Sequence, residues 1–151
     1  MGRARALTAK QGKTTFPLTP CQNFGEKEIL VTIAIWCIFI AATLPYVAFS
    51  FVKGLDPNQP RYHVGDLAGQ SIRAYGAHLN GLETFPWFAS AVIVAHMVGG
   101  PSRTADVLAV FYILLRVGHL AAYVGGRQPL RTTAFALAQL VALAIFVSPL
   151  F

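Results

Sequence analysis

An all-α integral membrane protein, a bundle of four helices running up-down-up-down, is the fold this sequence predicts, and three observations carry it. Apolar residues make up 55% of the 151 positions and charged ones only 12%, a balance foreign to soluble domains. From Ile29 to Val52 no charged residue occurs at all, and about 20 such residues cross the hydrocarbon core of a bilayer. Three further apolar runs follow, separated from one another by glycine- and proline-containing breaks.

The first 28 residues read as a polar, basic arm ahead of the membrane domain of residues 29–151. Arg3, Arg5, Lys10 and Lys13 precede the first acid, Glu26. That resembles an organelle transit peptide in charge, but Pro17, Pro20 and the lack of an amphipathic repeat favour an untethered arm. Span one covers about Ile29 to Val52, with a kink expected at Pro45, which removes a backbone donor and crowds the preceding turn. The stretch LDPNQPRYHVGD, dense in turn formers, ends it and forms the longest loop, carrying Arg61 and His63.

Span two runs from about Gly69 to Val98, longer than a bilayer requires, and Gly99, Gly100 and Pro101 stop it. Ser102 to Thr104 offer an N-cap for span three, which continues to about Val124 before Gly125, Gly126 and Pro129. Span four takes about Thr132 to Leu150, holds no ionisable residue and reads as a packing helix. One longer and two short connections give antiparallel neighbours. Lys and Arg divide almost evenly between the two ends, so the positive-inside rule assigns no orientation. The chain is expected to be a multi-pass protein of a bacterial inner membrane or a eukaryotic internal membrane, with lipid as its surroundings.

The net charge of +6 raises nucleic acid as a partner, but the cations sit on flanks and loops with no interleaved aromatic stacking pattern, so nucleic acid is excluded. Cys21 and Cys37 have neither metal-ligand nor disulfide-framework spacing and read as structural. No HExxH, CxxC, phosphate-binding glycine loop or Ser/His/Asp arrangement occurs, and no metal is expected.

Two polar stripes interrupt the apolar spans. On a helix advancing about 100° per residue, Arg73, Gly76, Asn80, Glu83 and Trp87 fall within an arc of about 80° on span two. On span three, Tyr112, His119 and Tyr123 lie within about 60° of Arg116. Antiparallel packing brings the start of span two and the end of span three to one side of the membrane, where the stripes overlap in depth. Ionisable groups at that depth face a protein interior or a wet cavity. A cation-rich pocket follows, with Glu83 and Arg116 as the expected ion pair at its floor. It serves either an anionic polar ligand or, in the structural alternative, only mutual neutralisation of Glu83 and Arg116, with Asn80 as interhelical glue.

The run AHLNGLETFPWF, Ala77 to Phe88, with the four spans and the Arg116, His119, Tyr123 segment, resembles the MAPEG family, the membrane-associated proteins of eicosanoid and glutathione metabolism. The resemblance covers about Ile29 to Phe151. It implies a homotrimer with glutathione, as co-substrate, bound between subunits and a hydrophobic small molecule entering from the lipid. By position it implies that Asn80 and Glu83 contact glutathione, Glu83 being suited to the α-amino group. Arg73 matches an arginine at the start of this helix, and Tyr123 matches a tyrosine of the glutathione pocket. Arg127 or Arg131 lies near the thiolate-stabilising arginine of the leukotriene synthase branch. Arginines suit such a ligand, since they hold carboxylates bidentately and lower a thiol pKa.

One position departs from that pattern. Glutathione-using members have an arginine four residues before the asparagine, where this chain has Gly76; Arg116 replaces it only by reaching across from span three. Two function classes therefore stay open: a glutathione-dependent transferase or peroxidase acting on a hydrophobic electrophile or lipid hydroperoxide, and a non-catalytic lipid-binding or accessory protein of the same fold. A small transporter is a third, weaker reading, because the polar stripe does not continue across the membrane in both helices.

Overall fold

The structure is a computed structural model describing residues 32–56, 58 and 64–151. The N-terminal arm with Cys21, and Arg61 and His63 of the long loop, lie outside the described residues. Four helices follow in order: α1 Ile33–Phe49, α2 Gly69–Gly99, α3 Arg103–Val124 and α4 Gln128–Val147, with short 3-10 turns at Val64–Asp66 and Ser148–Leu150. The described residues contain no strand. Three of the helices, α2, α3 and α4 with its 3-10 extension, are long and apolar enough to cross a bilayer. α1, with 17 residues, reaches about 25 Å at 1.5 Å per residue, at the short end of what a bilayer needs.

The helices pack on small residues. Ala34, Cys37 and Ala41 of α1, Ala91 and Ala95 of α2, Ala109 of α3 and Ala138 and Ala142 of α4 are buried together around Phe88, Val92, Tyr112 and Ile145. Lipid tails are as apolar as leucine, so helices in a bilayer associate by close van der Waals contact, which small side chains permit. Phe88 and Tyr112 lie stacked, ring centroids 3.9 Å apart and planes 1° from parallel. Trp36, Phe39, Tyr46, Leu114, Leu140 and Phe146 point outward, as lipid-facing residues should.

Pro45 lies inside α1, which continues through it to Phe49. Pro45 is buried against Gly81, where an added β-carbon would meet Pro45 Cγ at 2.7 Å. The Pro45 carbonyl accepts a hydrogen bond from His78 Nδ1 at 2.9 Å, which places His78 against α1 among Tyr46 and Phe49.

At the opposite end α1 is closed in trans. Ser102 occupies the N-cap position of α3 without a side-chain capping bond, so the expected serine cap does not form. Asp106, four residues on, instead accepts the Ala34 backbone N–H of α1 at 2.8 Å. Thr32 Oγ1 donates to His96 Nε2 at 2.7 Å, since His96 Nδ1 is committed to the Val92 carbonyl at 2.9 Å. α3 and α4 are joined by a tight turn in which Arg127 N–H reaches the Ala122 carbonyl at 2.9 Å and Gly126 N–H the Tyr123 carbonyl at 3.1 Å. Gly126 takes φ +73° there, a left-handed conformation suited to glycine. α4 thus starts at Gln128, earlier than the Thr132 expected from hydropathy.

Candidate functional site

The first turns of α2 and the last turns of α3 meet at one end of the bundle, where α4 begins. Half-buried Arg73 donates from Nε to the Val124 carbonyl at 3.1 Å, tying the start of α2 to the end of α3. Deeper in, Arg116 is buried, 7% exposed. Its Nη1 reaches across to α2 and donates to Asn80 Oδ1 at 3.1 Å. Thr84 Oγ1 donates to the Asn80 backbone carbonyl at 2.8 Å, filling the next turn.

Between these two ties, Tyr123 lies over Gly76. Any β-carbon at position 76 would stand 2.7 Å from the Tyr123 hydroxyl oxygen and 3.1 Å from Cζ. The Arg131 guanidinium covers the Tyr123 ring at 4.5 Å from its centroid, a cation–π arrangement, and the His119 ring meets it edge-on at 5.5 Å. His119 is buried, and its Nδ1 donates to the Arg131 carbonyl at 3.0 Å. That bond leaves Nε2 as the acceptor nitrogen, and Nε2 is buried with no partner among the described residues.

Arg73, Asn80, Arg116, His119, Tyr123 and Arg131 are therefore linked through direct contacts and shared turns. Glu83 and Arg127 stand apart. Glu83 is exposed, and no ion pair joins it to Arg116 among the described residues. The expected ion pair is corrected to an Arg116–Asn80 hydrogen bond. The reason lies in the helical phase of α2: Asn80, Gly81 and Thr84 face the bundle, while Leu82, Glu83, Pro86 and Trp87 are exposed. Arg127 is exposed at the N-cap of α4 and borders a separate depression of about 460 Å³ with Gly118, Ala121 and Leu130. Of the two candidate thiolate arginines, Arg131 alone stacks on Tyr123.

The charge of this site is one-sided. Arg73, Arg116 and Arg131 form no ion pair with a carboxylate among the described residues. A guanidinium shielded from water without a counter-charge is costly, so the arrangement favours an anion. Among the described residues no group of three or more His, Cys, Asp or Glu is placed to hold a metal ion.

The stripes did not single out Thr84, which is buried and donates to the Asn80 and Gly81 carbonyls; a hydroxyl one turn beyond Asn80 was the available signal. Nor did they single out Gln139, the only amide in the apolar run of α4 from Ala134 to Val147.

Compared with known proteins, the chain matches the family model of the MAPEG family over residues 29–151. No curated protein and no solved structure matches it.

Proposed function

The chain belongs to the MAPEG family, and on that premise we propose that it is a glutathione-dependent transferase or peroxidase acting on a hydrophobic electrophile or lipid hydroperoxide. It is a multi-pass integral membrane protein, and membership supports a glutathione-related transferase or eicosanoid-metabolising function in general. The observation that carries the finer reading is Arg116: a cation buried at membrane depth, bonded to the neutral Asn80 amide, with no carboxylate partner among the described residues.

The residues present suit glutathione. It brings two carboxylates, an amine and a thiol, against three guanidinium groups, each with N–H donors to spare. Arg73 and Arg116 would hold carboxylate oxygens, and Asn80 positions the Arg116 fork. Arg131 and the Tyr123 hydroxyl would face the sulfur, where a cation and a donor favour the thiolate. When bound, glutathione supplies the nucleophile for attack on an apolar partner arriving from the lipid. A homotrimer is part of the proposal. Its support is the outer face of α2, where Glu83 and Trp87 are exposed at membrane depth, a placement that a neighbouring subunit would relieve.

A second reading, a non-catalytic member of the family, is favoured by Gly76, whose position Tyr123 fills. Glutathione calorimetry on the detergent-purified protein, with thiolate absorbance followed in parallel, separates the two. An enzyme binds glutathione at millimolar concentration or better, with a thiolate signal that Arg131→Ala weakens and affinity that Arg116→Met weakens. Absence of binding at those concentrations would leave the non-catalytic reading.

A further inference from the structure

The seam between the end of α3 and the start of α4 is an apolar groove with a cation at its mouth. Gly118, Ala121 and Gly125 of α3 and Leu130 and Ala134 of α4 line it, Arg127 borders it, and it encloses about 460 Å³. α3, with 22 residues, spans about 33 Å, close to the thickness of the hydrocarbon core. The α3–α4 turn with Arg127 therefore lies at headgroup level, and Gly118 and Ala134 lie about 10 Å deeper along their helices. The groove begins at a charge and runs, bare of polar side chains, into the acyl region.

Charge decides what fits it. The sequence has no Asp or Glu after Asp106, and exposed Arg127 forms no ion pair among the described residues. A groove of about 500 Å³ at the other end of α3 gives the contrast: there Asp106 stands with Arg103 among Ile33, Val107 and Val110 and offsets its charge. No residue lining the α3–α4 groove belongs to α2, so it is separate from the face offered to the proposed trimer. An arginine at headgroup level takes a phosphate bidentately, and basic pockets between membrane helices suit anionic headgroups. A zwitterionic headgroup brings its own cation and cancels that attraction. We propose that the α3–α4 seam seats one anionic phospholipid from the surrounding leaflet, with its phosphate on Arg127 and one acyl chain along Gly118, Ala121 and Ala134.

A tryptophan placed just below the groove reports on its occupant. Leu137 is exposed, lies outside the groove lining and falls in line with Leu130 on α4, about 15 Å deeper than Arg127. The sequence has two tryptophans, so the full chain with Trp36→Phe, Trp87→Phe and Leu137→Trp carries a single indole there. It is reconstituted in phosphatidylcholine vesicles containing a rising share of chain-brominated phosphatidylglycerol or of chain-brominated phosphatidylcholine. Bromine quenches an indole that it touches. The expected result is half-quenching by phosphatidylglycerol at about one-fifth the mole fraction needed for phosphatidylcholine, the attraction that one arginine exerts on an anionic lipid.

Arg127→Gln should bring the two lipids together. Gly118→Leu should do the same with Arg127 in place: an added β-carbon at residue 118 meets nothing within 4 Å, so the leucine fills the groove without displacing a neighbour. Arg103→Gln should leave the preference intact. Equal quenching by both lipids in the parent chain would overturn the proposal, as would a preference that survives Arg127→Gln or is lost with Arg103→Gln. A preference that survives Gly118→Leu would also overturn it, since Arg127 would then attract anionic lipid without a seat. Failure of both lipids to quench would do so too, and would show that another copy of the chain covers the seam.

Discussion

The hydroxyl of Tyr123 lies where residue 76 would carry a β-carbon, 2.7 Å from the ideal position of that atom. The glycine and the tyrosine are thus one feature: the ring approaches α2 only because the helix is bare there, and Arg131 on its face holds it in place. Gly76→Ala should lower thermal stability in the otherwise native protein, because overpacking costs about 1–3 kcal/mol. In a Tyr123→Ala background the same change should raise it, since alanine is about 1 kcal/mol better than glycine inside a helix. Thermal denaturation of the four proteins checks the reversal of sign.

Arg116 and Asn80 should behave as a coupled pair. Arg116→Met and Asn80→Leu should each destabilise, and the double variant should be less impaired than the sum by about 1.5–3 kcal/mol, the range for a hydrogen bond to a charged group. Glu83→Gln should leave denaturant unfolding unchanged and show no coupling to Arg116→Met. A coupling there would restore the ion pair that the structure lacks.

Asp106 caps a helix to which it does not belong. Asp106→Ala should cost about 1 kcal/mol, as the loss of an N-cap does, and should raise hydrogen exchange at the Ala34 amide while leaving amides in the middle of α3 protected. Asp106→Asn, which keeps an acceptor, should recover most of that protection.

The proposed trimer has a direct test. Native mass spectrometry from mild detergent should show three copies of the 16.3 kDa chain, and Glu83→Lys or Trp87→Glu on the outer face of α2 should shift the distribution towards monomer. A monomer throughout would leave Glu83 facing lipid and remove the trimer.

Much of this architecture was legible from composition and breaks. Uninterrupted apolar runs locate the spans because the bilayer imposes a length, and α2 begins at Gly69 as expected. The start of α4 was less visible, since Gln128, Pro129 and Arg131 break the apolar run and hydropathy does not register a helical turn projecting from the membrane. Helical phase correctly gathered Arg116, His119 and Tyr123 on one face, and it placed Asn80 towards them. It could not choose between Asn80 and Glu83 as the partner of Arg116, because they lie about 60° apart at 100° per residue and the choice depends on how α2 is rotated against α3. The hold of Asp106 on α1 was similarly hidden, because a cap supplied by another helix leaves no local pattern in the sequence.

That same cap bears on how the protein is made. α1 leaves the ribosome first, yet the group that closes its first turn lies 72 positions later in the chain. Until α3 enters the membrane, the Ala34 amide has only headgroup water to bond with, and the start of α1 is tied to α2 through Thr32 and His96 while its first turn stays open. The depth of the first segment is therefore set with the second and its first turn is closed by the third: a nascent chain halted after α2 would hold its Pro45–Gly81 and Thr32–His96 contacts while the Ala34 amide still exchanged freely.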